Sequence, residues 1–200
     1  LIALKKIALK INAAQWFMLS VLLVNAGNYA YNLLLGRWLG PEIFSGVALL
    51  ITLLLALSFV AMTLQLLCAK FSITFTEEKF VSFKIRAYQY AVGTGGGIGV
   101  LFIIFADALK QIFHMESNLI FVLFGIGVPI YFVMSVSRGI HQGKQEFVKL
   151  SQSYVLEMFG RLLVTFLLVF LAVFQPIIAV AIGILTSFLV GLHPNKFRFK

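Results

Sequence analysis

The chain has 200 residues, 61% of them apolar and only 12% charged, with a formal net charge of +9 and a mean hydropathy of +1.02. A water-soluble domain carries about 25% charged and about 45–50% apolar residues, so a soluble fold of this size is excluded and lipid is the expected solvent. The excess positive charge is not a nucleic-acid footprint, because Lys and Arg fall in the short gaps between apolar runs and no nucleic-acid module accompanies them.

In chain order, residues 1–14 place Lys5, Lys6 and Lys10 among Leu and Ile. They read as a short amphipathic segment on the cytoplasmic interface, with a frayed end as the alternative. No small-residue cleavage site follows, so this basic start reads as an uncleaved signal anchor. A bilayer-spanning helix needs about 20 mostly apolar residues. Six stretches qualify: 16–35, 44–69, 88–108, 119–137, 154–174 and 176–192. Residues 71–83, which mix charge with Phe and Thr, are expected to be a cytoplasmic loop with some interfacial helix. Gln175-Pro176 leaves room only for a tight turn, which makes the last two helices antiparallel neighbours. The expected fold class is therefore all-α: a polytopic six-helix lobe over 15–193, followed by a basic tail or linker at 194–200.

The basic residues test this segmentation. With the N-terminus cytoplasmic, Lys5, Lys6, Lys10, Lys70, Lys79, Lys84, Arg86, Arg138, Lys144, Lys149, Lys196, Arg198 and Lys200 all fall on the cytoplasmic side. Only Arg37 and Lys110 fall on the other side, and Arg161 lies within a helix. That asymmetry is the one the positive-inside rule predicts.

Polar groups at hydrocarbon depth are costly without partners, so each is a candidate for function. Asn25, Asn28 and Asn32 share one face of the first helix. They are expected to line a substrate path or to bond neighbouring helices, the latter worth about 0.6 kcal/mol per contact. Glu157 and Arg161 are four residues apart in the fifth helix, the favourable order for an intrahelical ion pair. The competing reading is a pair facing a central cavity, with the Arg161 fork meeting an anionic group such as a phosphate. Gln65 is expected to pack against another helix. Pro129 removes a backbone bond and is a hinge candidate, with a static bend as the alternative. Gly93-Thr94-Gly95-Gly96-Gly97-Ile98-Gly99 fails the dinucleotide pattern. Its two overlapping pairs, Gly93/Gly97 and Gly95/Gly99, instead suit close helix packing.

No chemistry of bond-breaking is expected. Cys68 lies alone inside an apolar run, and His114, His141 and His193 fall in separate loops on both sides of the membrane. No metal site, cofactor motif or catalytic set is present, so the chain is not expected to be an enzyme.

Two stretches carry a family resemblance. One is Tyr31-Asn32-Leu33-Leu34-Leu35-Gly36-Arg37-Trp38-Leu39-Gly40-Pro41-Glu42, followed by Phe44-Ser45-Gly46. The other is Ser137-Arg138-Gly139-Ile140-His141-Gln142-Gly143-Lys144, leading to Glu157 and Arg161. Both resemble the polysaccharide-biosynthesis flippases of the multidrug/oligosaccharidyl-lipid/polysaccharide exporter superfamily. The resemblance implies a transporter of lipid-linked oligosaccharide across the bacterial inner membrane by alternating access. It also implies membrane lipids and a lipid-linked saccharide as partners, and Arg161 as a substrate contact. Members usually have two six-helix lobes, so this chain is expected to be an N-terminal half whose C-terminal lobe is missing. A basic rim of Lys84, Arg86, Arg138 and Lys144 either gathers anionic headgroups or only sets topology. The competing functions are a drug or cation antiporter of the same superfamily and a non-transporting membrane scaffold.

Overall fold

The computed structural model describes residues 12–192. Lys5, Lys6 and Lys10, and at the other terminus His193, Lys196, Arg198 and Lys200, lie outside the described residues, as do the expectations attached to residues 1–11 and to the 194–200 tail.

The described chain is all-helical: α1 (Ala13–Thr74), α2 (Glu77–Ile104), α3 (Ala106–Ile112), α4 (Leu119–Gly143), α5 (Phe147–Phe170) and α6 (Pro176–Gly191). Helices α1, α2, α4 and α5 are long and apolar enough to cross a membrane, and α6 is a shorter apolar helix of 16 residues. Helix α1 starts with a reciprocal cap, in which Asn12 Oδ1 accepts from Gln15 N–H at 2.8 Å and Gln15 Oε1 accepts from Asn12 N–H at 3.0 Å. That arrangement satisfies two of the orphan donors at a helix start.

The 62 residues of α1 are two helical arms, 13–39 and 41–74, joined at Gly40, where φ is 74°. Glycine alone enters that region without steric cost. Pro41, whose φ is preset and which has no N–H to leave unpaired, suits the first position of the second arm. The reversal at Gly40 is visible in what the arms touch. Phe17, near the start of the first arm, packs its ring 6.4 Å from that of Tyr154. Gln65, near the end of the second arm, donates to the hydroxyl of the same Tyr154 at 3.1 Å. A straight helix would hold Phe17 and Gln65 roughly 70 Å apart, so the two arms run antiparallel.

The remaining helices alternate in the same way. The first arm runs alongside α5 in the same direction, from Phe17 against Phe147 to Trp38 against Phe166. Helix α2 opposes α4, with Phe102 against Phe124 at one end and Lys144 over the Phe80 ring at the other. Asn12, Glu77, Gly143 and Gly191 thus share one end of the bundle, called proximal here. Gly40, Phe105, Leu119 and Pro176 share the distal end. Lys70, Lys79, Lys84, Arg86, Lys144 and Lys149 lie toward the proximal end, whereas the distal end has Arg37 and Lys110 with Glu42, Asp107 and Glu116.

Helix α4 is the central post and touches every other helix. Every residue from Ser135 to Ile140 is buried, the mark of a helix enclosed on all sides. It runs through Pro129 as one helix, and a Cβ on Gly95 of α2 would meet the Pro129 Cα at 2.8 Å.

Several helices outrun their apolar stretches. The region 71–83, expected to be a loop with some interfacial helix, is helical throughout apart from the short link at Phe75 and Thr76, and α2 begins at Glu77 rather than near Tyr88. Helix α4 continues to Gly143 instead of ending at Ser137, and α5 occupies Phe147–Phe170 rather than 154–174. Hydropathy marks where the solvent changes, not where backbone bonding ends. Lys79 and Arg86 sit in the charged start of α2, ahead of its apolar stretch.

Candidate functional site

The first arm of α1, α4 and α5 enclose a cavity of about 350 Å³ that opens to the outside of the bundle. Four polar side chains singled out from the sequence line it: Asn25, Asn28, Glu157 and Arg161. They converge because α5 runs beside the first arm with Arg161 level with Asn28 and Thr165 level with Tyr31. Arg138, Tyr131, Tyr154 and Phe17 complete the polar and aromatic wall.

Two arginines face this cavity, and they are held differently. Arg138 of α4 is 3% exposed. Its Nη2 donates to Glu157 Oε2 at 2.7 Å and to the Ser153 carbonyl at 3.0 Å, and its Nε donates to Ser153 Oγ at 2.8 Å. Ser153 Oγ in turn donates to the Gly191 carbonyl of α6 at 2.8 Å. The guanidinium carbon stands 4.0 Å from the centre of the Tyr154 ring, a cation–π contact that strengthens when desolvated. The Tyr154 hydroxyl accepts from Gln65 Nε2, which also donates to Gln142 Oε1 at 2.8 Å. One network therefore ties α1, α4, α5 and α6 together, and Arg138 is a locked, charge-neutralised member of it.

Arg161 is the opposite case. Its Nη2 donates to Asn28 Oδ1, and its guanidinium lies 5.3 Å from the centre of the Tyr31 ring. The Tyr31 hydroxyl bonds Thr165 Oγ1 at 3.1 Å, holding the ring in place. No carboxylate pairs with Arg161 among the described residues. The intrahelical Glu157–Arg161 pair allowed by their spacing is not formed, because the Glu157 carboxylate turns across to α4. What remains is a permanently charged fork at mid-helix depth, held by a neutral amide and facing open space. Such a group suits an anion presenting oxygens.

The other candidates fall elsewhere. Asn32 is outside the cavity wall, and its Oδ1 is buried without a hydrogen-bond partner among the described residues. The glycine pairs part company. Gly95 and Gly99 are buried against Pro129, Phe132 and Gly125 of α4, while Gly93 and Gly97 have open space where a Cβ would go. Only the Gly95/Gly99 pair acts as the close-packing device expected of both. Among the described residues no group of three or more His, Cys, Asp or Glu could hold a metal.

Sequence reasoning put Arg138 on the cytoplasmic rim and gave Tyr154 no role. The available signal was the Arg138-Gly139-Ile140-His141-Gln142 stretch itself. Continued as helix, it places Arg138 and Gln142 one turn apart on a single face, and both enter the network. Gly139 lets this turn approach the second arm of α1, where a Cβ would meet Cys68 Cβ at 2.8 Å.

Comparison with protein-family profiles, with curated proteins and with solved structures finds no match to this chain.

Proposed function

We propose that the chain is one lobe of a flippase that moves a lipid-linked oligosaccharide across the bacterial inner membrane. In this reading the two arms of α1 with α2, α4, α5 and α6 form six membrane spans. The proximal end faces the cytoplasm, which follows from its Lys and Arg excess. The family resemblance of the Gly40-Pro41 turn and of the Arg138–Lys144 stretch supports the reading. The observation that carries it is Arg161, a cation inside the apolar layer that pairs with no carboxylate among the described residues and faces a cavity.

The chemistry asked of such a protein is modest. No bond is broken, and a sugar-phosphate headgroup must be kept out of hydrocarbon while its tail stays within it. Arg161 offers the phosphate a planar donor fork. Asn25 and Asn28 offer amides to hydroxyls, and Tyr131 and Tyr154 supply a wall with apolar faces and polar edges. A second lobe rocking against this one would expose the site to each side in turn. A cation antiporter needs a carboxylate free to exchange protons or sodium, and Glu157, the acid in this cavity, is committed to Arg138.

The test is to reconstitute the full-length gene product and follow a labelled polyprenyl-linked sugar between leaflets. Arg161→Ala is expected to stop movement while the protein still inserts and folds, and Arg161→Lys to retain part of it. Normal movement by Arg161→Ala would refute the assignment.

A further inference from the structure

The motif left unused by the cavity is the Gly93/Gly97 pair, which turns away from the bundle on α2. Five helical turns separate Lys79 from Gly97, so Lys79, Ser82, Arg86, Tyr90, Gly93 and Gly97 follow one another up a single face of that helix. At the proximal end of the face is a depression of about 520 Å³ lined by Lys79, Ser82, Arg86 and the carboxylate of Glu78. Its floor is aromatic. Phe75 and Phe83, which line it, meet edge to face at 5.6 Å, and Phe71 stacks behind Phe75 at 4.7 Å.

We infer that this face of α2 is a binding site for one anionic phospholipid of the proximal leaflet. Two cations and a hydroxyl, against the single carboxylate of Glu78, line a depression of headgroup size, at the end of the bundle where basic residues collect. Juxtamembrane Lys and Arg attract anionic headgroups, each contributing about 1 kcal/mol. The Phe75–Phe83 floor keeps the depression shallow and rigid, so the phosphate meets Lys79 and Arg86 rather than sinking between helices. Tyr90, 67% exposed, stands at the level where amphipathic rings mark the edge of the apolar layer. Above it Gly93 and Gly97 leave a furrow along the helix where an acyl chain can lie against backbone. Exposed Val100 and Leu101 continue the apolar surface beyond it. The other occupant that a small-residue furrow admits is a second helix, but a helix alone leaves the two cations Lys79 and Arg86 with only Glu78 beside them in the depression. This site rests on the membrane placement of the bundle and is independent of the transported cargo.

The experiment titrates the purified full chain in neutral detergent with phosphatidylglycerol or phosphatidylcholine and counts retained lipids by native mass spectrometry. One phosphatidylglycerol is expected to be retained in preference to phosphatidylcholine. The Lys79→Gln/Arg86→Gln double variant should lose roughly 30-fold in affinity for phosphatidylglycerol, while Lys110→Gln at the distal end leaves it unchanged. Gly97→Leu should weaken retention of the two-chain lipid without altering oligomeric state. Equal retention by the double variant and the parent would overturn the site. So would a Gly97→Leu effect confined to oligomeric state, which would assign the furrow to a partner helix.

Discussion

Glu157 reaches across from α5 to Arg138 on α4, 2.7 Å from Oε2 to Nη2, instead of pairing with Arg161 one turn away on its own helix. The pair is nearly enclosed, with side-chain exposures of 4% and 14%. Breaking one side of such a pair strands a buried charge and typically costs about 3–5 kcal/mol, whereas replacing both members with apolar residues of similar volume is often neutral. Glu157→Gln is therefore expected to lower the melting temperature in detergent sharply. Arg138→Met combined with Glu157→Leu should recover most of that loss. A double variant as unstable as the single one would show that Ser153 and Tyr154, rather than the charge pair, hold this corner.

Asn28 and Arg161 make a second, more exposed relationship. The Asn28 amide carbonyl fixes the guanidinium against Tyr31 but leaves its charge unneutralised. Asn28→Ala removes one charge-assisted hydrogen bond, worth about 1.5–3 kcal/mol, yet keeps the cation. Stability should fall by no more than that amount. Anion or headgroup binding should weaken far less than in Arg161→Ala, and binding isotherms of the two variants with a short-chain polyprenyl phosphate separate the effects.

The parts of this structure legible in sequence are those governed by solvent and by local backbone chemistry. An all-helical chain with several long apolar helices and the bias of Lys and Arg toward one end follow from residue type, whereas the stretch that turns at Gly40-Pro41 is marked only by its family resemblance. The partner of Glu157 was not legible. Spacing on one helix nominates Arg161, and nothing local reveals that a rival guanidinium arrives from α4 with Ser153 already in position. Arg138 was hidden for a related reason, because the apolar run stops at Ser137 while the backbone stays helical to Gly143. The two glycine pairs on α2 are offset by two residues, about 200° around the helix, so identical patterns face opposite ways. Only tertiary packing decides which pair meets α4.

That difference gives a paired prediction. On the inward face, a Cβ at Gly95 would lie 2.8 Å from the Pro129 Cα, a backbone atom that cannot rotate away. Overpacking of this kind typically costs about 1–3 kcal/mol and sometimes more. Gly95→Leu should depress the melting temperature and loosen α2 from α4, which a cross-link between cysteines introduced at Phe102 and Phe124 would report. Gly93→Leu, two residues away in open space, should leave both measurements near the parent values.

The link between α4 and α5 supplies a pH dependence with a definite sign. Burial at Glu146 raises its pKa, but hydrogen bonds from Lys149 and His141, with their charges, outweigh that and hold the carboxyl below its ordinary value. The Lys149 Nζ donates to Glu146 Oε1 at 2.9 Å, and His141 Nδ1 meets Oε2. A carboxyl whose pKa is lowered on folding stabilises the fold above its unfolded value, near 4.3 for glutamate. That contribution disappears as pH falls through the lowered folded value. Melting temperature should therefore drop on acidification from about pH 5 to about pH 3, by a modest amount because the Glu146 side chain is 35% exposed and solvent screens it. Glu146→Gln should flatten this part of the acid limb. An unchanged acid limb in that variant would mean that the Lys149–Glu146–His141 cluster adds nothing to the stability of the turn.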